Sequence, residues 1–200
     1  MKSLKLKNKA RALVVVAHPD DETIWMGGTM LSFPKVNWTV FSLCRRQDKD
    51  RYPKFIKVMK KYRAKAIITN LEDEGIMTVG QSVPIIKKII LKNLKNNKFD
   101  YLFTHNNNGE YGHERHQGVH QALKQLIKEK KILAQEKYFF CYHTNQRGKI
   151  LNNNQMATHN FNLTKKNWAQ KRALVHKIYG FAKKSFEHQS CLKKETYLKK

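Results

Sequence analysis

Acidic side chains are scarce in this chain: 15 of its 200 residues are Asp or Glu, against 40 Lys and Arg, for a net charge of +25. Cysteine is scarcer still, with Cys44, Cys141 and Cys191 far apart and no Cys-x-x-Cys pair. Both a disulfide framework and a thiolate zinc cage are thereby excluded, and the three thiols are expected to be buried or idle. No apolar run approaches the roughly 20 residues that a membrane-spanning helix requires. The stretch Leu13 to Ala17 is too short for a signal-peptide core. Cleavage there would also remove the most chemical part of the sequence, so a cytoplasmic protein is expected. Zinc-finger spacing, RNP-type sequence and a basic stripe interleaved with aromatics are missing too. No specific nucleic-acid partner is therefore expected, because charge alone sets field and solubility. Asparagine tracts at residues 106–108 and 152–154 accompany the lysines and point to a compositional bias behind the charge.

What is present is a strand–helix alternation. At 200 residues the chain is long enough for one sizeable core and too short for two comfortable ones. The β-branched run from Leu13 to Ala17 reads as a strand buried on both faces. Further strands are expected at 39–44, 66–69, 101–104 and 138–142. Between them Phe55, Val58, Met59 and Tyr62 recur at i, i+3, i+4, i+7, as one helix face must. Ile86, Ile89, Ile90 and Leu94 form a second face, opened by Pro84 near its first turn, and Val119, Ala122, Leu123, Leu126 and Ile127 a third. A last helix is expected over 165–182, with Leu174, Val175, Ile178 and Phe181 inward. The pattern predicts a layered α/β domain with a mostly parallel sheet, spanning 1–182, followed by a loosely packed basic extension over 183–200.

Few as they are, the acids are not scattered. Asp20-Asp21-Glu22 and Glu72-Asp73-Glu74 both follow predicted strands, although any given acidic triplet has a probability on the order of 0.0004 at this composition. In an open parallel sheet, ligands bind beyond the carboxyl ends of the strands. Adjacent carboxylates repel unless a cation or a proton offsets them, and a divalent metal does so economically. His18 and Asp21 can share a metal around the tight turn at Pro19, leaving Asp20 directed elsewhere and free to take a proton. A third ligand is available where the fourth strand opens into a loop and a helix start: His113 and His116 lie three apart and can reach His18 if the first and fourth strands adjoin. Two imidazoles and one carboxylate with a position left for water is the arrangement of hydrolytic zinc. The same set can hold ferrous iron. The spare carboxylate of Asp20 favours hydrolysis. His120 is a candidate for supporting contacts, whereas His143, His159, His176 and His188 are expected at the surface.

The intact stretch Ala17-His18-Pro19-Asp20-Asp21-Glu22, followed by Gly112-His113-Glu114-Arg115-His116, resembles the LmbE-like, or PIG-L, family of zinc-dependent N-deacetylases over residues 10–182. The resemblance implies a Rossmann-like three-layer α/β domain that removes an acetyl or other acyl group from the nitrogen of an amino-sugar-containing substrate. It implies His18, Asp21 and His116 as zinc ligands and Asp20 as general base. His113 and Tyr111 would stabilise the tetrahedral intermediate, His113 also helping the amine to leave. Arg51 and Asp73 would contact substrate. One departure stands out: many members read His-Pro-Asp-His, with the aspartate orienting the first histidine. Here Glu114 and Arg115 fill that gap, so a neighbouring cation is expected to lower the pKa of His113.

Two other readings remain open from sequence. One is an amidase of the same scaffold cleaving a non-sugar N-acyl substrate. The other is a basic protein that binds nucleic acid or membrane surfaces through a vestigial metal site. The expected partner is an N-acetylated sugar-type small molecule or glycoconjugate, an anionic one if the basic surface steers it. Self-association into a homo-oligomer is compatible with the sequence.

Overall fold

The alternation read from sequence folds as one central sheet between two helical layers. The computed structural model describes residues 1–200. In chain order the first half comprises β1 (Lys2–Ser3), β2 (Arg11–Val16), α1 (Asp21–Ser32), β3 (Asn37–Cys44), α2 (Arg51–Tyr62), β4 (Lys65–Leu71), α3 (Val79–Asn93) and β5 (Lys98–Thr104). Then follow a short turn α4 (Gly109–Gly112), α5 (Glu114–Lys128), β6 (Leu133–Phe140), the small hairpin β7 (Tyr142–Thr144) and β8 (Ile150–Asn152), and β9 (His159–Asn162). The chain ends with α6 (Lys165–Ala173), a π-helical turn (Leu174–Ile178), α7 (Phe186–Gln189) and β10 (Lys194–Lys199).

The eight-stranded sheet runs β1-β9-β10-β6-β5-β2-β3-β4. Strands β2 to β6 are mutually parallel, and β10 lies antiparallel between β6 and β9. Strand order reverses between β2 and β5, which pair directly through Ala12–Tyr101, Leu13–Leu102, Val14–Phe103 and Val15–Thr104. That junction is the topological switch point, where the helices on the two faces diverge and leave a crevice at the carboxyl ends. Alternation along β2 feeds both faces: Ala12, Val14 and Val16 pack in the layer with α1 and α2, and Leu13, Val15 and Ala17 in the layer with α3 and α5.

Three expectations are corrected. First, α3 starts before Pro84, at Val79, because Thr78 and Gln81 form a reciprocal capping box that satisfies the first amides. Second, the last helix does not reach residue 182: α6 widens into the π turn and stops at Ile178. Third, residues 183–200 are no loose extension. They supply β10, whose Tyr197 is fully buried, and whose Glu195 carboxylate accepts from the Gly28 and Thr29 amides (2.9 and 2.7 Å) and ion-pairs Lys171 Nζ at 2.7 Å. Glu195, one of two acids in the basic tail, thus ties it to α1 and α6. All three cysteines are free and buried.

Candidate metal and catalytic centre

His18, Asp20, Asp21, His113 and His116 of the two motifs converge at the carboxyl end of β2 and β5. β2 ends at Val16, and the chain turns through His18 and Pro19 into α1, so His18, Asp20 and Asp21 stand at the crevice. β5 ends at Thr104; the loop beyond it passes through two left-handed glycines, Gly109 (φ 60°) and Gly112 (φ 93°), conformations that cost residues with a Cβ. His113 then caps α5 and carries His116 one turn inward.

Three donor atoms form a triangle: His18 Nδ1 to Asp21 Oδ2 is 3.1 Å, His116 Nε2 to Asp21 Oδ2 is 3.3 Å, and His116 Nε2 to His18 Nδ1 is 3.3 Å. An ion with tetrahedral bonds of about 2.0–2.1 Å needs donors about 3.3–3.4 Å apart. The residues present therefore fit a small divalent ion. Their outer atoms are fixed as such a site requires. His18 Nε2–H donates to Asp73 Oδ1 at 2.8 Å, leaving Nδ1 to the centre. The Trp25 indole N–H holds Asp21 Oδ1 at 3.0 Å, so Oδ2 faces inward. Burial opposes charge on His18, but hydrogen bonds to Asp21 and Asp73, with the charge of Asp21, outweigh it and raise its pKa to about 9. A proton is thus favoured where a cation would sit.

Two residues essential to this geometry were not singled out from sequence. Glu110, wholly buried, accepts His116 Nδ1–H (2.7 Å) and His105 Nδ1–H (2.6 Å) on one oxygen and the Asn106 amide (2.9 Å) on the other. Burial works against its charge, yet the imidazoles hold its pKa down at about 2. With His116 Nδ1 thus occupied, Nε2 offers its lone pair to the centre. His105 is fixed in turn, since the Ala17 amide donates to its Nε2 at 3.0 Å. The signal for both was present: His105 follows β5 as His18 follows β2, and Glu110 is a rare acid inside the motif loop. His120 reaches the same loop by a 3.0 Å hydrogen bond to the His105 carbonyl.

Asp20 sits at φ 130°, a strained conformation for a residue with a Cβ. Its amide donates to Glu22 Oε2 (3.1 Å), and Glu22 is held by the hydroxyls of Thr23 (2.6 Å) and Tyr179 (2.8 Å). Glu22, fully buried, therefore fixes the turn, and burial lifts its own pKa to about 7. Asp20 Oδ2 accepts from Arg51 at 2.9 Å, while Oδ1 takes no hydrogen bond from the protein. Burial, and then the charge of Asp21, raise the pKa of Asp20 above the usual carboxylate range.

Around this centre a cavity of about 340 Å³ is lined by Asp20, Tyr111, His113, Arg45, Arg51 and Asp73, among others. Arg51 is anchored by Asp20 and by stacking over Phe181 (4.4 Å). Asp73 is engaged by His18 and by Arg45 Nη2 at 2.8 Å. The tyrosine hydroxyl stays protonated, since burial and nearby carboxylates push its pKa up. His113 Nδ1 accepts the Arg115 amide at 3.2 Å, so its Nε2 carries the proton into the pocket. Its pKa falls to about 4 through burial and the charges of His116 and His18. Arg115 is not the cause: its side chain turns away, buried, to the Met77 carbonyl, and Glu114 is exposed without touching His113. The segment between β3 and the start of α2 lines the pocket through Arg45, Asp48 and Arg51, whereas residues 145–163 contribute no lining residue. The C-terminal segment lines it through Phe186 and Glu187. His188, expected at the surface, is buried behind them.

A three-layer α/β domain with a two-imidazole, one-carboxylate centre at its switch point defines a class: an enzyme scaffold with a site suited to a divalent ion. The chain belongs to the PIG-L family, described as GlcNAc-PI de-N-acetylase, whose profile matches residues 13–127. Known structures share the fold. N,N'-diacetylchitobiose deacetylase from Pyrococcus horikoshii superposes with TM-score 0.67 at 12% identity, over 97% of this chain and 84% of that one. The A40926 pseudoaglycone deacetylase Dbv21 gives 0.62 at 12%, over 92% and 83%. GalB, a 4-carboxy-2-hydroxymuconate hydratase from Pseudomonas putida KT2440, gives 0.63 at 13%, over 91% and 82%. The scaffold alone does not choose a reaction. No curated protein matches the sequence. No helix is long and apolar enough to cross a membrane.

Proposed function

We propose that the protein is a zinc-dependent N-deacetylase acting on an N-acetylated, amino-sugar-type substrate. The observation that carries this reading is the 3.1–3.3 Å donor triangle of His18, Asp21 and His116 beside the unengaged Oδ1 of Asp20. A divalent ion held by the triangle supplies Lewis acidity, lowering the pKa of water toward roughly 7. Asp20 Oδ1 takes the proton of the attacking water. Negative charge gathers on the amide oxygen, where the Tyr111 hydroxyl and His113 Nε2–H are the available donors; preorganised donors of this kind contribute several kcal/mol. Because His113 enters neutral, it serves as a hydrogen-bond donor, and the proton taken by Asp20 returns to the amide nitrogen. The C–N bond then breaks to give a free amine and acetate. Arg51 restrains Asp20, and Asp73 restrains His18; each also borders the pocket where a sugar hydroxyl would lie. The test is metal analysis followed by an amine-release screen against N-acetylated sugars, their phosphorylated and lipid-linked forms, and non-sugar N-acyl amides. Amine release from sugars that a chelator abolishes and zinc restores is expected. Full activity in the metal-stripped protein, or release from non-sugar amides alone, would overturn the reading.

A further inference from the structure

The acids of this chain are concentrated in one place: Asp20, Asp21, Asp48, Asp73 and Glu187, five of its 15, line the single cavity around the centre. Two cations face them, and both are already engaged, Arg45 with Asp73 (2.8 Å) and Arg51 with Asp20 (2.9 Å). Asp21 faces the imidazoles, and Asp48 accepts the amides of Asp50 and Arg51 at the start of α2. Glu187 alone has neither an ion pair nor a side-chain hydrogen bond. Its neighbour Phe186 packs edge-on against Tyr111 with ring centroids 5.0 Å apart, and both residues are more than a third exposed. An aromatic face beside an unengaged carboxylate matches a pyranose, which offers an apolar C–H face and hydroxyl donors at its edge. A phosphate would instead meet the unpaired Glu187 carboxylate with no free guanidinium to answer it. The basic exterior attracts anions at a distance, but that attraction is screened over about 8–10 Å, and the choice is made inside.

We propose that this pocket selects uncharged or cationic amino sugars over phosphate-bearing ones, with Glu187 as the discriminating contact. The proposal rests on the deacetylase reading and names its substrate class. Calorimetry on the zinc-loaded protein would compare glucosamine and N-acetylglucosamine with their phosphate monoesters. The unphosphorylated sugars are expected to bind at least tenfold more tightly. Glu187→Gln should narrow that ratio to under about threefold, and Glu187→Lys should reverse it, with zinc content and melting temperature unchanged. Equal or tighter binding of the phosphate monoesters, a ratio unmoved by Glu187→Gln, or no binding by any of the four sugars would overturn the proposal. Amine release, assayed separately, distinguishes the failures: turnover with no charge preference removes this inference alone, and absence of turnover on every N-acetyl sugar removes the reading beneath it.

Discussion

Replacing Glu110 by Gln probes the centre without touching a proposed ligand. The carboxylate takes three buried donors at 2.6, 2.7 and 2.9 Å. A glutamine of equal size can accept from those on one oxygen only, and its NH2 must then confront at least one N–H. One orphaned buried donor costs about 1–3 kcal/mol, and the surviving bonds lose charge assistance. For a chain of this length, about 2–4 °C of melting temperature goes with each kcal/mol, so a fall of about 2–12 °C is expected in the metal-free protein. The more telling effect is on His116. With no anion fixing Nδ1–H, the imidazole can carry its proton on Nε2, the atom that must give a lone pair to the ion. Loss of such supporting partners typically weakens metal binding by about 10- to 100-fold, equivalent to about 1.4–2.7 kcal/mol. Competition of the variant with a calibrated chelator measures this directly. A lower melting temperature with zinc affinity within twofold of the parent would refute the reasoning, by showing that Glu110 supports the loop and not the ligand.

Asp20→Ala is expected to retain zinc stoichiometrically and to lose amine release by orders of magnitude; near-normal turnover would remove Asp20 as the base. His116→Ala should bind less than a tenth of the parent's zinc by elemental analysis, and full occupancy would contradict its place in the triangle. Glu22→Ala removes the acceptor of the Asp20 amide in a fully buried turn, so kcat should fall at least tenfold with KM and zinc content little changed. An unaltered kcat would show that the strained turn does not depend on Glu22. Glu195→Ala strands Lys171 without its partner, and breaking a buried pair of this kind costs about 3–5 kcal/mol. Denaturant unfolding should register that loss; a change under 1 kcal/mol would mean that β10 is not anchored as described.

Sequence alone fixed much of the chemistry because the motifs are local. Ala17 to Glu22 places a histidine and two pocket-facing aspartates within one strand end and one turn, and Gly112 to His116 places two histidines at the next strand's loop, so short-range geometry dictates which side chains share a crevice. Periodicity likewise marked α2 and α5, whose apolar faces repeat at fixed intervals, and an unbroken β-branched run marked β2.

Other features depended on contacts distant in sequence, which no local pattern encodes. Glu195 reads as an ordinary acid in a basic tail until β10 inserts beside β6 and brings it to Thr29 and Lys171, so the tail became part of the sheet. Glu187 and Phe186 lie far along the chain from His18 yet wall the same pocket. Arg115, expected to act on His113, is turned away by the backbone direction at the start of α5. The sequence by itself determined which residues could bind an ion and activate water, because those sit on contiguous motifs. Only the tertiary structure decided which partners orient them and what lines the pocket, because those are set by the pairing of β2 with β5 and by where the last strand closes the sheet.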